Sequence, residues 1–286
     1  MDEHLPDVRR LDKVGFSAAD GATAEIHAHG AHVTSWRPAP GDVERLFLSE
    51  RSSFEPDDSI RGGIPVIFPQ FAAEGPLPRH GFARTSHWTL EDATRDQGGD
   101  GVVSFSLTDS PATRAIWPAS FRATITVRIG GRRLAATLSV ENTGDQPFSF
   151  AAALHTYLRV KDVHDAGIIG LHGSRYRESR APERFTTDDQ PTILVRGEID
   201  RLYMDAPSRV TLRDGDRTLA ITTMNFPDVV IWNPGAEKAA AMKDMEPEGE
   251  RRMLCIEAAA AQRPVRLEAG SNWSATQTLT AEPHTA

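Results

Sequence analysis

The strongest constraint on the fold is an alternation of side chains between residues 121 and 140. Phe121, Ala123, Ile125, Val127 and Ile129 share one face of an extended chain, and Arg122, Thr124, Thr126 and Arg128 share the other. Gly130-Gly131 follows, and Leu134, Ala136, Leu138 and Val140 resume the same period of two. Two such runs joined by paired glycines specify a β-hairpin buried on one face, because a period of two winds around a helix instead of lining one side of it.

The same period recurs along the chain. Ala24, Ile26 and Ala28 alternate with Glu25, His27 and His29, a Gly30 break leads into residues 33–36, and Val103, Phe105 and Leu107 alternate with polar residues before a turn around Pro111. Residues 148–159 read as one strand, with Phe148, Phe150, Ala152 and Leu154 on one side and Ala151, Ala153, His155 and Tyr157 on the other. Val210-Thr-Leu212 and Leu219-Ala-Ile221 flank Asp214-Gly215 as a second hairpin, residues 229–232 form a short buried run, and Trp273, Ala275, Gln277 and Leu279 alternate near the end. One helix is predicted over residues 234–245, with Asn233 as N-cap, Pro234 at the first position and Pro247 as the stop. Residues 172–191, rich in Arg, Pro, Asp and Glu and without a period, read as an exposed loop. Many short strands with scarcely a helix predict an all-β antiparallel sandwich or barrel.

A chain of 286 residues fits one large β domain, and with no repeat or linker in sight we expect a single domain over 1–286, with 1–13 and 281–286 as flexible ends. The net charge of −8 argues against nucleic-acid binding, which calls for a basic surplus. Neither a signal peptide nor an apolar run of membrane-spanning length is seen, so a cytoplasmic protein without membrane contact is expected, and a monomer. Cys255 is the only cysteine, which rules out an internal disulfide and any Cys-rich zinc site, and its apolar setting in Met253-Leu-Cys-Ile256 suits a buried, inert thiol.

Chemistry concentrates in three places. Residues 61–71 and 79–88 carry Arg61, His80 and Arg84 on backbone that Gly62, Gly63, Pro65, Pro69, Pro76, Pro78 and Gly81 keep out of regular structure. Such a loop suits either an anion site or a tight structural crossing. His155 lies among small residues and neighbouring hydroxyls that leave room for an acid–base imidazole, and Glu257 ends an apolar run where desolvation would raise its pKa toward that of a useful base. A structural strand histidine and a solvent-facing edge glutamate are the alternatives. His27, His29 and His32 could grip a metal from one strand face, but the third lies past a glycine break and no glutamate follows closely, so no metal site is expected there or elsewhere in the chain. No dinucleotide-binding, Walker or nucleophile-elbow motif is present.

Taken together these motifs resemble the glucose-6-phosphate 1-epimerases of the aldose 1-epimerase superfamily. The matching segments run in that family's order: Arg61-Gly-Gly-Ile-Pro65 with Phe68-Pro69, His80-Gly-Phe-Ala-Arg84 with Trp88, Leu154-His-Thr-Tyr157, Gly197-Glu-Ile-Asp-Arg-Leu-Tyr203, Val230-Ile-Trp-Asn-Pro234 with Glu237-Lys238, and Cys255-Ile-Glu257. The resemblance implies a galactose-mutarotase-like β-supersandwich, no cofactor, and interconversion of the anomers of a hexose 6-phosphate. It implies His155 as general acid, Glu257 as general base, His80 and Asp200 as sugar contacts, and Arg61 and Arg84 as phosphate contacts. Gln70 stands where many relatives carry an aromatic or apolar residue, and Ala258-Ala-Ala260 where they commonly have Pro or Ala and then Gly; Gln70 is therefore expected to touch substrate and bear on sugar choice. An epimerase for unphosphorylated aldoses and a non-catalytic carbohydrate-binding protein are the other readings.

Overall fold

The computed structural model describes residues 13–283, and its ladders are antiparallel. Phe121–Gly130 pairs with Arg133–Asn142 so that Ile125 faces Leu138 and Val127 faces Ala136, and the apolar rows share one buried face as their alternation requires. The turn itself falls one residue later than expected. Gly130 still pairs with Arg133, so the loop is Gly131-Arg132, with Gly131 at φ 55°. The second hairpin shifts in the same way, Asp214 pairing with Arg217 and Gly215 turning at φ 62°. In both, the glycine opens the loop, where a positive φ is needed.

Three sheets result among the described residues. The nine-stranded sheet runs in the order Thr192–Leu194, Gly167–Ile169, Arg209–Asp214, Arg217–Met224, Asn272–Ala281, Arg133–Asn142, Phe121–Gly130, Gly101–Thr108, Thr89–Arg95. An eight-stranded sheet runs Ala181–Thr187, Arg175–Glu178, Ile199–Tyr203, Asp228–Asn233, Met253–Leu267, Phe148–Leu154, Val66–Ile67, with Tyr157–Arg159 also pairing to Met253–Leu267. Lys13–Ser17, Thr23–His27 and His32–Arg37 form the third. The expected loose ends at 1–12 and 284–286 lie outside the described residues, but Lys13 pairs with His27 and Ala281 with Leu219, so both belong to sheets. No helix among the described residues is long and apolar enough to cross a membrane.

One apolar cluster joins the inner faces of the sheets, with Trp36, Trp88, Phe105, Phe121 and Phe150 at 2% exposure or less. Each such side chain contributes about 1.5–3 kcal/mol by leaving water. The eight-stranded sheet is buried on both faces. Leu254, Ile256 and Ala258 enter the main cluster, while Met253, Cys255 and Ala259 join a second one with Tyr157, Val230 and Trp232. Glu257 shares the parity of that second face, and so does His155 after Ala151 and Ala153.

Four expectations need correction. Residues 148–159 are not one strand: the ladder stops at Leu154 and resumes at Tyr157. Residues 172–191 contain two paired strands, whose exposure at every position of Ala181–Thr187 removes the alternation by which a strand is recognised. A helix stands at Pro111–Ile116, where only a turn was expected, closed by a capping box between Ser110 and Thr113. The helix after Asn233 spans only Gly235–Ala241; Asn233 Oδ1 still accepts the Gly235 N–H at 2.9 Å.

Candidate active site

The Arg61 stretch forms one edge of the eight-stranded sheet and holds the histidine segment in place. Val66 and Ile67 pair with Leu154 and Ala153, and the Pro65 and Gly63 carbonyls then accept the His155 and Tyr157 N–H groups at 3.0 and 2.8 Å. Thr156 Oγ1 donates to buried Gln277 Oε1 at 2.5 Å, and Gln277 Nε2 donates to the Ile256 carbonyl at 2.9 Å. The break in the strand is therefore pinned from both sides. Gly63 permits it: at φ 59°, a Cβ there would lie 2.1 Å from the Val33 carbonyl oxygen.

His155 and Glu257 meet on the second face. His155 Nδ1 lies 3.2 Å from Glu257 Oε1, both residues are buried, and neither Nδ1 nor Glu257 Oε2 has a hydrogen-bond partner. Tyr157 stacks on the imidazole at 4.9 Å, and His80 and Trp232 meet it edge-on at 5.7 Å each. Burial drives the Glu257 carboxyl well up, with Asp200 adding to the rise, and the same burial drives His155 well down, aided by His80, Arg61 and Arg84. Both shifts disfavour the charged forms of the two groups.

The remaining expected residues surround this pair unequally. His80 sits at φ 66° with Nδ1 accepting the Ala72 N–H at 3.3 Å, so its proton resides on Nε2; burial and then Arg84, Arg79 and Arg61 push it down to about 3. Asp200 is half-buried, accepts from Ser179 Oγ at 2.6 Å, and is raised by burial. Its strand register places it opposite Trp232, and Trp232 opposite Cys255. Arg61 is already engaged, Nε and Nη2 on Asp244 Oδ2 at 3.0 and 2.9 Å and Nη1 on the Tyr157 hydroxyl at 2.8 Å. Arg84 reaches only the Arg79 carbonyl, at 3.3 Å, and is lowered by burial and by Arg61 and Arg79.

Gln70 does not fit its expected role. Its Nε2 donates to the Leu77 carbonyl at 3.0 Å and its Oε1 accepts the Leu77 N–H at 2.9 Å, so both ends of the amide brace its own loop. His27, His29 and His32 do not converge either. His32 Nε2 donates to the Gly62 carbonyl at 2.7 Å, His29 Nε2 donates to that of Asp58 at 2.6 Å, and His27 packs on Phe54. The group of possible metal ligands among the described residues is instead His155, Cys255 and Glu257. A cavity of about 370 Å³ lined by Glu178, Arg180, Glu198 and Arg201 shares Asp200 with the cluster but neither His155 nor Glu257.

A family profile described as aldose 1-epimerase matches residues 12–280. The chain belongs to the aldose 1-epimerase family. It is 35% identical over 283 residues to a protein of Cenchrus ciliaris provisionally named glucose-6-phosphate 1-epimerase, covering 96% of this chain and 85% of that one. A crystal structure of a protein of Salmonella typhimurium, provisionally described as a mutarotase, superposes with a TM-score of 0.86 at 27% identity, over 94% of this chain and 90% of that one. A galactose mutarotase related enzyme of Lactobacillus acidophilus shares the fold, with a TM-score of 0.77 at 18% identity over 95% and 98% of the two chains. The fold of this epimerase-family chain is accordingly galactose-mutarotase-like.

Four site residues of this epimerase-family chain were not singled out from sequence. Tyr157 and Trp232 stood inside the matched motifs, and their aromatic character beside a histidine was the available signal. Arg79 adjoins His80, is exposed, and has no carboxylate within ion-pair distance among the described residues; a third arginine within residues 61–84 was its signal. Asp244 had none, since nothing local links it to Arg61, 183 residues away.

Proposed function

We propose that the protein interconverts the α and β anomers of a hexose 6-phosphate, glucose 6-phosphate foremost, by acid–base ring opening and closure. The observation that carries the chemistry is the buried His155–Glu257 pair with unpartnered atoms, 3.2 Å apart. Transfer of a proton from the Glu257 carboxyl to Nδ1, 3.2 Å away, creates an imidazolium and a carboxylate without changing the charge of the pair. The carboxylate then takes the C1 hydroxyl proton while the imidazolium Nε2–H protonates the ring oxygen. The C1–ring oxygen bond breaks and C1 becomes an aldehyde. Rotation about C1–C2 and the reverse transfers close the ring as the other anomer. Tyr157 and Trp232 hold the imidazole in plane, and His80 Nε2–H and Asp200 supply a donor and an acceptor for sugar hydroxyls.

Phosphate recognition draws on the crowding of Arg61, Arg79 and Arg84. Arg61 is paired with Asp244, but Arg84 and Arg79 have no carboxylate partner among the described residues; burial and then the neighbouring arginines lower Arg84 and His80, and a bound dianion relieves the repulsion. The name of the Cenchrus relative agrees with this preference. The pairing of Arg61 with Asp244 favours the rival, an epimerase for unphosphorylated sugars. Since one chain supplies both groups of the pair, we read it as a single catalytic domain, and we propose that it works as a monomer in the cytoplasm.

Magnetisation-exchange NMR on glucose 6-phosphate anomers tests the activity. The expected outcome is exchange well above the spontaneous rate, reduced about 10²–10⁴-fold in each of His155→Ala and Glu257→Gln, the span of one acid or base group. Unchanged exchange in either variant removes that residue from the mechanism, and sugar binding without exchange in the native protein points to a binding protein.

A further inference from the structure

Beneath the acid–base pair a third group converges. Cys255 Sγ, a His155 ring nitrogen and a Glu257 carboxylate oxygen all lie within 4.8 Å of one another, and all three residues are buried. Cys255 and Glu257 are two apart on Met253–Leu267 and so project from the same face, while His155 enters from the end of the neighbouring strand. His155 Nδ1 and Glu257 Oε2 are buried atoms with no hydrogen-bond partner. Leaving two such atoms unpaired is costly, and a bound species that supplies bonds to both removes the cost.

The donor set indicates which species. One imidazole nitrogen, one thiolate sulfur and one carboxylate oxygen suit a four-coordinate, borderline-soft divalent cation with its last position open to water or a sugar hydroxyl. Mg²⁺ and Ca²⁺ require more oxygen ligands than these residues offer. We propose that His155, Cys255 and Glu257 form a binding site for such a cation, Zn²⁺ foremost, whose occupancy silences the site. Binding forms bonds from the metal to Nδ1, Sγ and the carboxylate and releases the thiol and carboxyl protons to solvent. The metal then holds the Nδ1 and carboxylate lone pairs that the proposed proton transfers use. This consequence for turnover rests on the acid–base reading above, whereas the binding does not.

Titration of the full chain with Co²⁺, a spectroscopic stand-in for Zn²⁺, tests the site. One equivalent is expected to bring up a thiolate-to-metal charge-transfer band and intense four-coordinate visible bands, both abolished by added Zn²⁺. Cys255→Ser, checked for folding by its thermal transition, is expected to lose the charge-transfer band and weaken binding by about 10–100-fold or more, at least the cost of losing a group that only orients a ligand. Anomer exchange is expected to fall in step with occupancy and to return with a chelator. Absence of the charge-transfer band in the native chain, or its persistence in Cys255→Ser, overturns the site whatever the variant's stability. An active protein without the band loses only the metal site; a protein with the band but no anomer exchange keeps it and loses the proposed activity.

Discussion

At the scale of single residues, the proposed phosphate preference is tested at Arg84 and Arg79. Arg61 heads the most conspicuous motif, yet Asp244 and Tyr157 occupy its donors, while Arg84 is left with a backbone carbonyl and Arg79 with no acid. Arg84→Ala and Arg79→Ala are each expected to raise KM for glucose 6-phosphate about tenfold, the low end for a charge-assisted hydrogen bond partly open to water, and to leave KM for free glucose unmoved. Equal effects on both sugars, measured by NMR exchange at several concentrations, would sink the phosphate assignment. The residue types of the proposed acid–base pair were legible because a histidine among alanines and a glutamate ending an apolar run are locally anomalous. The direction of Gln70 was not, since an amide can turn either way and only the fold of residues 71–78 shows that both its ends are taken.

The element that matters most is the crossing formed by residues 61–84. Gly81 lies against Phe68, and at φ 68° a Cβ there would be 2.1 Å from the Phe68 carbonyl oxygen. Buried Arg177 ties the loop down from the far side, Nη2 on both Glu74 oxygens at 2.7 and 2.8 Å and Nε on Gln262 at 2.8 Å. Gly81→Ala is expected to cost at least about 1 kcal/mol in urea unfolding, as an alanine at positive φ does even without a clash, and to lower kcat by displacing His80. A variant of native stability and rate would show that the crossing is not rigid. Elements with one wet face were readable, as in Phe121–Gly130, where buried and partly exposed residues alternate. Ala181–Thr187 was not, because an edge strand exposed throughout carries no such period.

Across the whole molecule, burial of ionisable groups makes stability depend on pH with two opposing signs. His32 and His80 are both held down at about 3, burial being the first cause in each. Below the ordinary histidine value of 6.5 the unfolded chain takes up protons that the folded chain refuses, so stability falls as pH drops toward 3. Each such group contributes about 1.4 kcal/mol per pH unit across that window. Glu257, raised by burial, acts in reverse: its contribution is complete at low pH and is lost as pH rises through its folded value. His32→Gln, which keeps a donor for the Gly62 carbonyl, is expected to flatten the fall in urea-derived stability between about pH 6 and pH 5 by about 1.4 kcal/mol per unit. An unchanged slope would show that His32 is protonated in the folded chain.

Sequence alone determined which side of each strand is dry, that the chain builds antiparallel sheets, and which residue types are present for proton transfer and anion binding, because a period of two and a charge among apolar residues are local properties. Tertiary structure decided the company those residues keep. The pairing of Arg61 with Asp244, the approach of Cys255 to His155 and Glu257, and the opposed shifts of His155 and Glu257 follow from strand order and the exclusion of water, which no local pattern encodes.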